Sequence, residues 1–455
     1  MTEERPAAPP AALVRAATSV LGATGLVALA GLGVSLSRAR TGLGLDQLLI
    51  YYLLPAGVVG WVVLTLWRGS PGTKAASALL AVTVVLSVLA AETFATLALR
   101  AQDREARTLL IGASIADQAR ALRLDGVRAY PTVPGNVLVD EDVTLLIDSV
   151  PTNPVTTAPG GVTAVLCSER GVTVTFEADR FGFNNPDGVW DEPADVLLVG
   201  DSFTQGVCVV AEDQIAGVLR EDRRVVNLGN KGSGPIQQLA TLREYGALTG
   251  ARDVYWIYFE GNDRYDLSGE RRRAWLTEYL DPTHRQGLAA RTASVSRGYG
   301  RWIDSLLAAG PSPAEAGRPA ALGSDVLRLR GLRRLTRFGV LFPPATSPVT
   351  IIPDVLERAR DDVEGWGGRL HLVYLPTYER YATLVGEGVP GKDEMRDAAE
   401  VLGLPFIDLD AAFRRTGRPR AMWTSPGGHL TPEGYRRVAE AIRASLPSAP
   451  APRDP

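Results

Sequence analysis

The chain has 455 residues, with 48 Lys plus Arg against 51 Asp plus Glu and a formal net charge of −3. That length suits more than one domain, and the charge balance gives no basis for a general attraction to nucleic acid. Two cysteines (Cys167, Cys208) and three histidines (His284, His371, His429) form no CxxC or Cys/His cluster, which argues against a thiolate zinc site.

Residues 1–100 are expected to form a membrane region. Three apolar runs, Ala16–Leu36, Leu48–Trp67 and Ala75–Leu99, each reach the roughly 20 residues that cross a bilayer as a helix. Tyr51, Tyr52, Trp61 and Trp67 include aromatics of the kind favoured at membrane interfaces. A cleaved signal peptide fits poorly, because Glu3 and Glu4 open the chain and two more runs follow. The other reading of the runs is buried core helices. Glu92, late in the third run, reads as a snorkelling or headgroup-level carboxylate. Arg5, Arg15, Arg68 and Lys74 flank one side, and Arg38, Arg40, Arg100, Arg104 and Arg107 the other. The positive-inside rule leans only slightly towards an outside N-terminus.

Residues 101–190 read as a helix-prone connector followed by a small β-rich lead-in, broken by Pro, Gly and Asn. From 191 to 447 the pattern changes. Apolar runs at Asp195–Ser202, Arg223–Asn230, Asp253–Asp263, Arg369–Pro376 and Pro405–Asp410 alternate with helical stretches. This predicts an α/β fold with a five-stranded parallel sheet, buried on both faces. Ligands of such sheets bind beyond the C-terminal strand ends. An insertion at about 265–348 is rich in arginine. It reads as solvated amphipathic helices, as a lid, or as a basic surface for lipid headgroups or an anionic polymer. Residues 448–455 are expected to be a disordered tail.

The chemistry-bearing residues fall at the strand ends. Ser202 follows the first strand in "VLLVGDSFTQG", either as a nucleophile or as a helix N-cap. Thr204 stands where a GxSxG elbow would need its second glycine. Gly232 lies in the Gly-rich turn "NLGNKGSGP", which fits neither a P-loop nor a dinucleotide fingerprint. Asn262 ends the third strand in "FEGND", and His429 follows the fifth in "SPGGHLTPEGY". Backbone N–H groups at Ser202 and Gly232 and the Asn262 amide can cradle a developing oxyanion, and imidazole is the natural base near neutral pH.

Taken in order, "GDSF", Gly232, "GND" and "HLTPEGY" resemble the four blocks of the SGNH (GDSL-type) hydrolase superfamily, over about Asp195–Leu446. The stretch "DRFGFNNPDGVW" also looks like a lead-in of bacterial membrane-anchored members. The resemblance implies a flavodoxin-like three-layer α/β/α fold and ester chemistry without a cofactor or metal. It makes Ser202 the nucleophile, His429 the base, and Ser202, Gly232 and Asn262 the oxyanion hole. One position departs: the family's aspartate, three residues before the histidine, is Pro426 here. Ser425, Asp408, Asp410 or a loop carbonyl are the alternatives for orienting the imidazole.

The expected function is a membrane-anchored serine esterase working through an acyl-enzyme, on an ester or O-acyl substrate such as a glycan or lipid. An O-acyltransferase modifying an envelope polysaccharide, with a membrane partner protein, and a non-catalytic binding module are the competitors. The catalytic domain is expected in the periplasm or outside the cell. There Cys167 and Cys208 either form a disulfide or remain buried thiols.

Overall fold

The computed structural model describes residues 9–37, 48–110, 115–169, 172–309, 351–382, 391–424 and 428–447. These fall into two compact units that part near Leu109.

The first unit holds helices Ala11–Ser37, Leu49–Arg68 and Pro71–Leu110, and three spans within them are long and apolar enough to cross a membrane. Ala17, Leu21, Val62 and Ala78 form their small shared core. Gly25 lets the first two helices approach, since a Cβ there would sit 3.1 Å from Val62 Cγ1. Much of the remaining surface is apolar, with Leu26, Val27, Trp67 and Phe94 exposed. Glu92 is buried and accepts the Thr96 hydroxyl one turn on, at 2.7 Å. The third helix runs past Leu99 to Leu110, so the expected connector begins as its continuation; a separate helix follows at Ile115–Leu124.

The second unit opens with the β-rich lead-in. Strands β1 (Ala129–Pro131), β4 (Thr163–Glu169) and β5 (Val172–Glu177) form a sheet in the order β1-β4-β5. A two-stranded ribbon pairs β2 (Leu145–Ile147) with β3 (Val150–Thr152). The "DRFGFNN" turn winds around one buried carboxylate. Asp179 Oδ1 accepts the N–H groups of Phe181, Gly182 and Phe183, each at 2.9 Å. Its Oδ2 accepts from Asn185 Nδ2 and Trp190 Nε1.

The main sheet contains β6 (Val196–Gly200), β7 (Val225–Asn227), β8 (Asp253–Phe259), β9 (Arg369–Leu375) and β10 (Phe406–Asp408). All are parallel, in the order β10-β9-β8-β6-β7. Successive side chains leave opposite faces of a strand. Leu197, Val199, Trp256 and Leu372 enter one core with Ile236, Leu239, Leu356 and Ala359. Val196, Leu198, Ile257 and Val373 enter the other with Ile215, Leu219, Tyr435 and Val438. Each fully buried side chain of this size stabilises the fold by about 1.5–3 kcal/mol before entropy is subtracted. The register pairs Gly200 with Ile257 and Phe259 with Leu375, so β6, β8 and β9 end side by side.

The described part of the arginine-rich insertion is amphipathic, with one face packed on the domain and Arg271, Arg272, Arg297 and Arg301 left exposed. Leu276, Tyr279, Leu288, Val295, Tyr299 and Ile303 are buried. Three of its described arginines make local contacts: Arg285 pairs with Asp362 at 3.0 Å, Arg273 with Asp142 at 3.5 Å, and Arg291 donates to Thr152 Oγ1 at 3.2 Å. Residues 310–350 of the insertion lie outside the described residues.

Candidate active site

The chain turns sharply after β6. Gly200 has φ +158°, and a Cβ there would fall 2.2 Å from Thr204 Oγ1 and 2.9 Å from the Ile257 carbonyl oxygen. Only glycine lets β6 lie that close to β8 and still turn. Asp201 then caps the next turn, Ser202–Gln205, by accepting the Phe203 N–H at 3.0 Å. Ser202 is left at the C-terminal edge of the sheet.

His429 arrives from the far end of the sequence. A bridge between Trp423 and Leu430 closes a short hairpin. The His429 carbonyl accepts both the Thr424 N–H, at 2.9 Å, and the Thr424 hydroxyl, at 3.0 Å. The following helix, Pro432–Arg443, is capped by Thr431 and anchored where Tyr435 donates to the Val207 carbonyl at 3.1 Å. The result is a contact across 227 positions: His429 Nε2 lies 3.1 Å from Ser202 Oγ. The imidazole also packs on Phe203, ring centroids 5.1 Å apart.

Burial, and then the Lys231 charge, pull the His429 pKa down to about 4. The ring is therefore neutral at pH 7 and able to take a proton. A carboxylate on the ring would push the other way, and among the described residues His429 forms no ion pair. Asp408 and Asp410 are engaged elsewhere, which corrects their expected role. Both carboxylates hold Lys392 Nζ, at 2.7 and 2.8 Å, and Asp410 also takes Arg414 Nε at 2.8 Å. Asp408 Oδ1 further caps the Leu409–Arg414 helix. Ser425 and Pro426 lie outside the described residues.

A cavity of about 410 Å³ opens over Ser202. Asn262 and His429 share its lining, with aromatic walls from Phe203, Phe259, Tyr378 and Trp423. Gly232 does not line it. With φ +72°, that glycine borders a separate depression beside Asn136, Tyr265 and Arg272. The Ser202 and Gly232 N–H groups donate to no acceptor among the described residues. Beneath the cavity lie two buried carboxyls, Asp201 and Asp263, both pushed up by desolvation.

Several residues of the site carry no signal in composition or spacing. Glu260 is buried and gathers Arg380, the Tyr374 hydroxyl and the Thr377 N–H, which fixes the turn carrying Thr377 and Tyr378 into the cavity wall. Its neighbour Asp263 accepts the Phe259 N–H at 2.8 Å and Gln238 Nε2 at 3.1 Å. Asp263 closes the "GND" stretch and Glu260 immediately precedes it, but neither role is written in that motif. Cys167 and Cys208 are joined by a disulfide, which ties lead-in strand β4 to the segment just after Ser202–Gln205.

No protein-family model matches the chain, and no curated protein matches it. Among solved structures, the chain is similar to a member of the lipolytic protein G-D-S-L family from Veillonella parvula DSM 2008. The identity is 10%, the TM-score 0.30, and the match covers 55% of this chain and 97% of that one.

Proposed function

We propose that the protein is an SGNH-type serine esterase on a flavodoxin-like three-layer domain, tethered to a membrane by its three apolar helices. The 3.1 Å approach of His429 Nε2 to Ser202 Oγ carries this reading. Serine is a weak nucleophile until a base takes its proton, and hydrogen-bond reach is the first requirement on that base.

In this mechanism Ser202 Oγ forms a bond to the ester carbonyl carbon while its proton passes to His429 Nε2. The negative charge on the carbonyl oxygen is met by the Ser202 N–H and the Asn262 amide, the two members of the expected oxyanion hole that line the cavity. The C–O bond to the leaving alcohol then breaks, and His429 returns the proton to that alcohol. Water, deprotonated by His429, releases the acyl group and restores Ser202. No carboxylate is needed in this scheme. The imidazole is held by its hairpin and by Phe203, as a Ser–His dyad. The disulfide supports a catalytic domain in the periplasm or outside the cell, where thiols are oxidised.

A fluorophosphonate probe tests the assignment. Wild-type protein is expected to label at Ser202, with labelling abolished in Ser202→Ala and slowed at least about 100-fold in His429→Ala. Unchanged labelling in His429→Ala would sink the dyad. Counting acyl groups released to water against those passed to a saccharide hydroxyl then separates esterase from acyltransferase.

A further inference from the structure

The buried carboxyl pair under the cavity has four oxygens, and three of them have donors. Asp201 Oδ1 accepts the Phe203 N–H, Asp263 Oδ1 accepts Gln238 Nε2, and Asp263 Oδ2 accepts the Phe259 N–H. The fourth, Asp201 Oδ2, is buried with no partner among the described residues. So is Asn262 Oδ1, while the Asn262 amide N–H is turned towards the Asp201 carboxylate, a contact that favours the charged form and opposes the upward push of burial.

Turning the Asn262 amide over brings Oδ1 to Asp201, and one hydrogen on Asp201 Oδ2 then satisfies both orphaned oxygens. Two adjacent buried carboxyls cannot both be charged without a large penalty, so one proton is retained. Asp263 already has an N–H on each oxygen, which favours its charged form, and the proton's place is Asp201 Oδ2. Asp266 on the following helix and Tyr258 on β8 also face Asp263, and neither supplies positive charge.

We propose that Asp201 keeps the pair's proton on Oδ2 and donates it to Asn262 Oδ1, which turns the Asn262 N–H towards the oxyanion above Ser202. Oxygen and nitrogen of a planar amide occupy near-equivalent positions, so the hydrogen-bond network decides which one faces the cavity. Asp201 is thus a positioning residue, acting through Asn262, and this role rests on the serine-hydrolase reading. Ionised Asp201 would instead draw the amide N–H to itself and leave an oxygen facing the developing negative charge.

Two measurements on the full chain test it. Infrared difference spectra of Asp201→Asn minus wild type at pH 7 are expected to show loss of a protonated-carboxyl band. The band in Asp263→Asn should titrate away at lower pH than in wild type, because the neighbouring charge that retains the proton is gone. In kinetics, Asp263→Asn should move the alkaline limb of kcat at least one pH unit towards acid, with KM changed less than about threefold; Asp201→Asn should lack that limb. A difference spectrum of Asp201→Asn minus wild type with no lost carboxyl band, or one alkaline limb common to all three proteins, overturns the proposal; the buried Glu270 carboxyl, pushed up to about 8 by desolvation, is common to both proteins and cancels in the difference. If Asp201→Asn does not fold, the Asp263→Asn shifts decide alone. The infrared arm needs no turnover. A wild type that fails to label with fluorophosphonate defeats the esterase reading, and the proton assignment is still judged by the band.

Discussion

Two histidines stand at opposite ends of the same parallel sheet. His371, near the start of β9, has what a catalytic histidine is supposed to have: Asp253 at 2.8 Å, and the Tyr255 ring stacked on it. Among the described residues no serine, threonine or cysteine side chain bonds to it, and it does not line the cavity over Ser202. His429, beyond the C-terminal strand ends, pairs with no carboxylate among the described residues, yet it reaches Ser202 and lines that cavity. A His–Asp pair is therefore a structural device unless the topology delivers a nucleophile to it. The edge of the sheet matters more than the partner.

The largest effect expected from this contrast is in activity. His429→Ala should lower ester turnover by about 10³-fold or more, as for loss of a general base from a nucleophile pair. His371→Phe should leave turnover within about twofold while costing roughly 1–2 kcal/mol of stability, measured by urea denaturation, through the loss of the buried contact to Asp253. If the two substitutions changed turnover equally, the division between the sheet ends would fail.

Removing the proposed oxyanion donor comes next. Asn262→Ala should lower kcat by about 10²–10³-fold with a much smaller change in KM, because the hydrogen bond strengthens only as charge develops. A change confined to KM would make Asn262 a substrate-binding residue instead.

The pH profile sharpens the comparison further. Burial and Lys231 hold the His429 pKa down to about 4, so the neutral base persists well below the ordinary histidine range. The acid limb of kcat/KM should fall near pH 4, and Lys231→Gln should move it upward by removing the repulsive charge. Burial lowers the His371 pKa as well, with Asp253 opposing. A histidine whose folded pKa lies below its unfolded value adds stability that is complete above about pH 6.5. Both histidines therefore remove stability as pH falls, His429 over the window down to about 4.

The smallest expected effect concerns the link to the lead-in. Cys208→Ser should lower unfolding free energy by about 2–4 kcal/mol. Its effect on kcat should be less than that of Asn262→Ala, since the Asp201 cap and the Gly200 turn remain in place.

The strands were legible because a buried parallel strand writes itself as an unbroken apolar run. Val196–Gly200, Asp253–Phe259 and Arg369–Leu375 all fall within the expected stretches. Ser202, Asn262 and His429 could be placed from the sequence because each follows a strand or closes its loop, and the fold brings these three to one cavity. Partner choice among charges was not legible. Nothing near Asp408 or Asp410 in sequence announces that Lys392, at the start of another helix, takes both. Gly232 could be placed after its strand, but which of two neighbouring depressions it borders depends on how the lead-in packs there, with Asn136 alongside. Arg285, Arg273 and Arg291 of the insertion read as part of a basic face until the fold brings Asp362, Asp142 and Thr152 to them.

The disulfide has one more consequence. Cys167 and Cys208 close a covalent ring, and Ser202 lies inside it. The ring also contains an exposed stretch around Pro186–Gly188 and Asp191–Pro193. A protease that cuts the backbone there separates nothing while the cystine is intact. The nicked molecule should migrate as one species without reductant and as two with it. The fragment bearing Ser202 stays tethered to the lead-in by sulfur alone, so a single clip would be invisible until the bond is reduced.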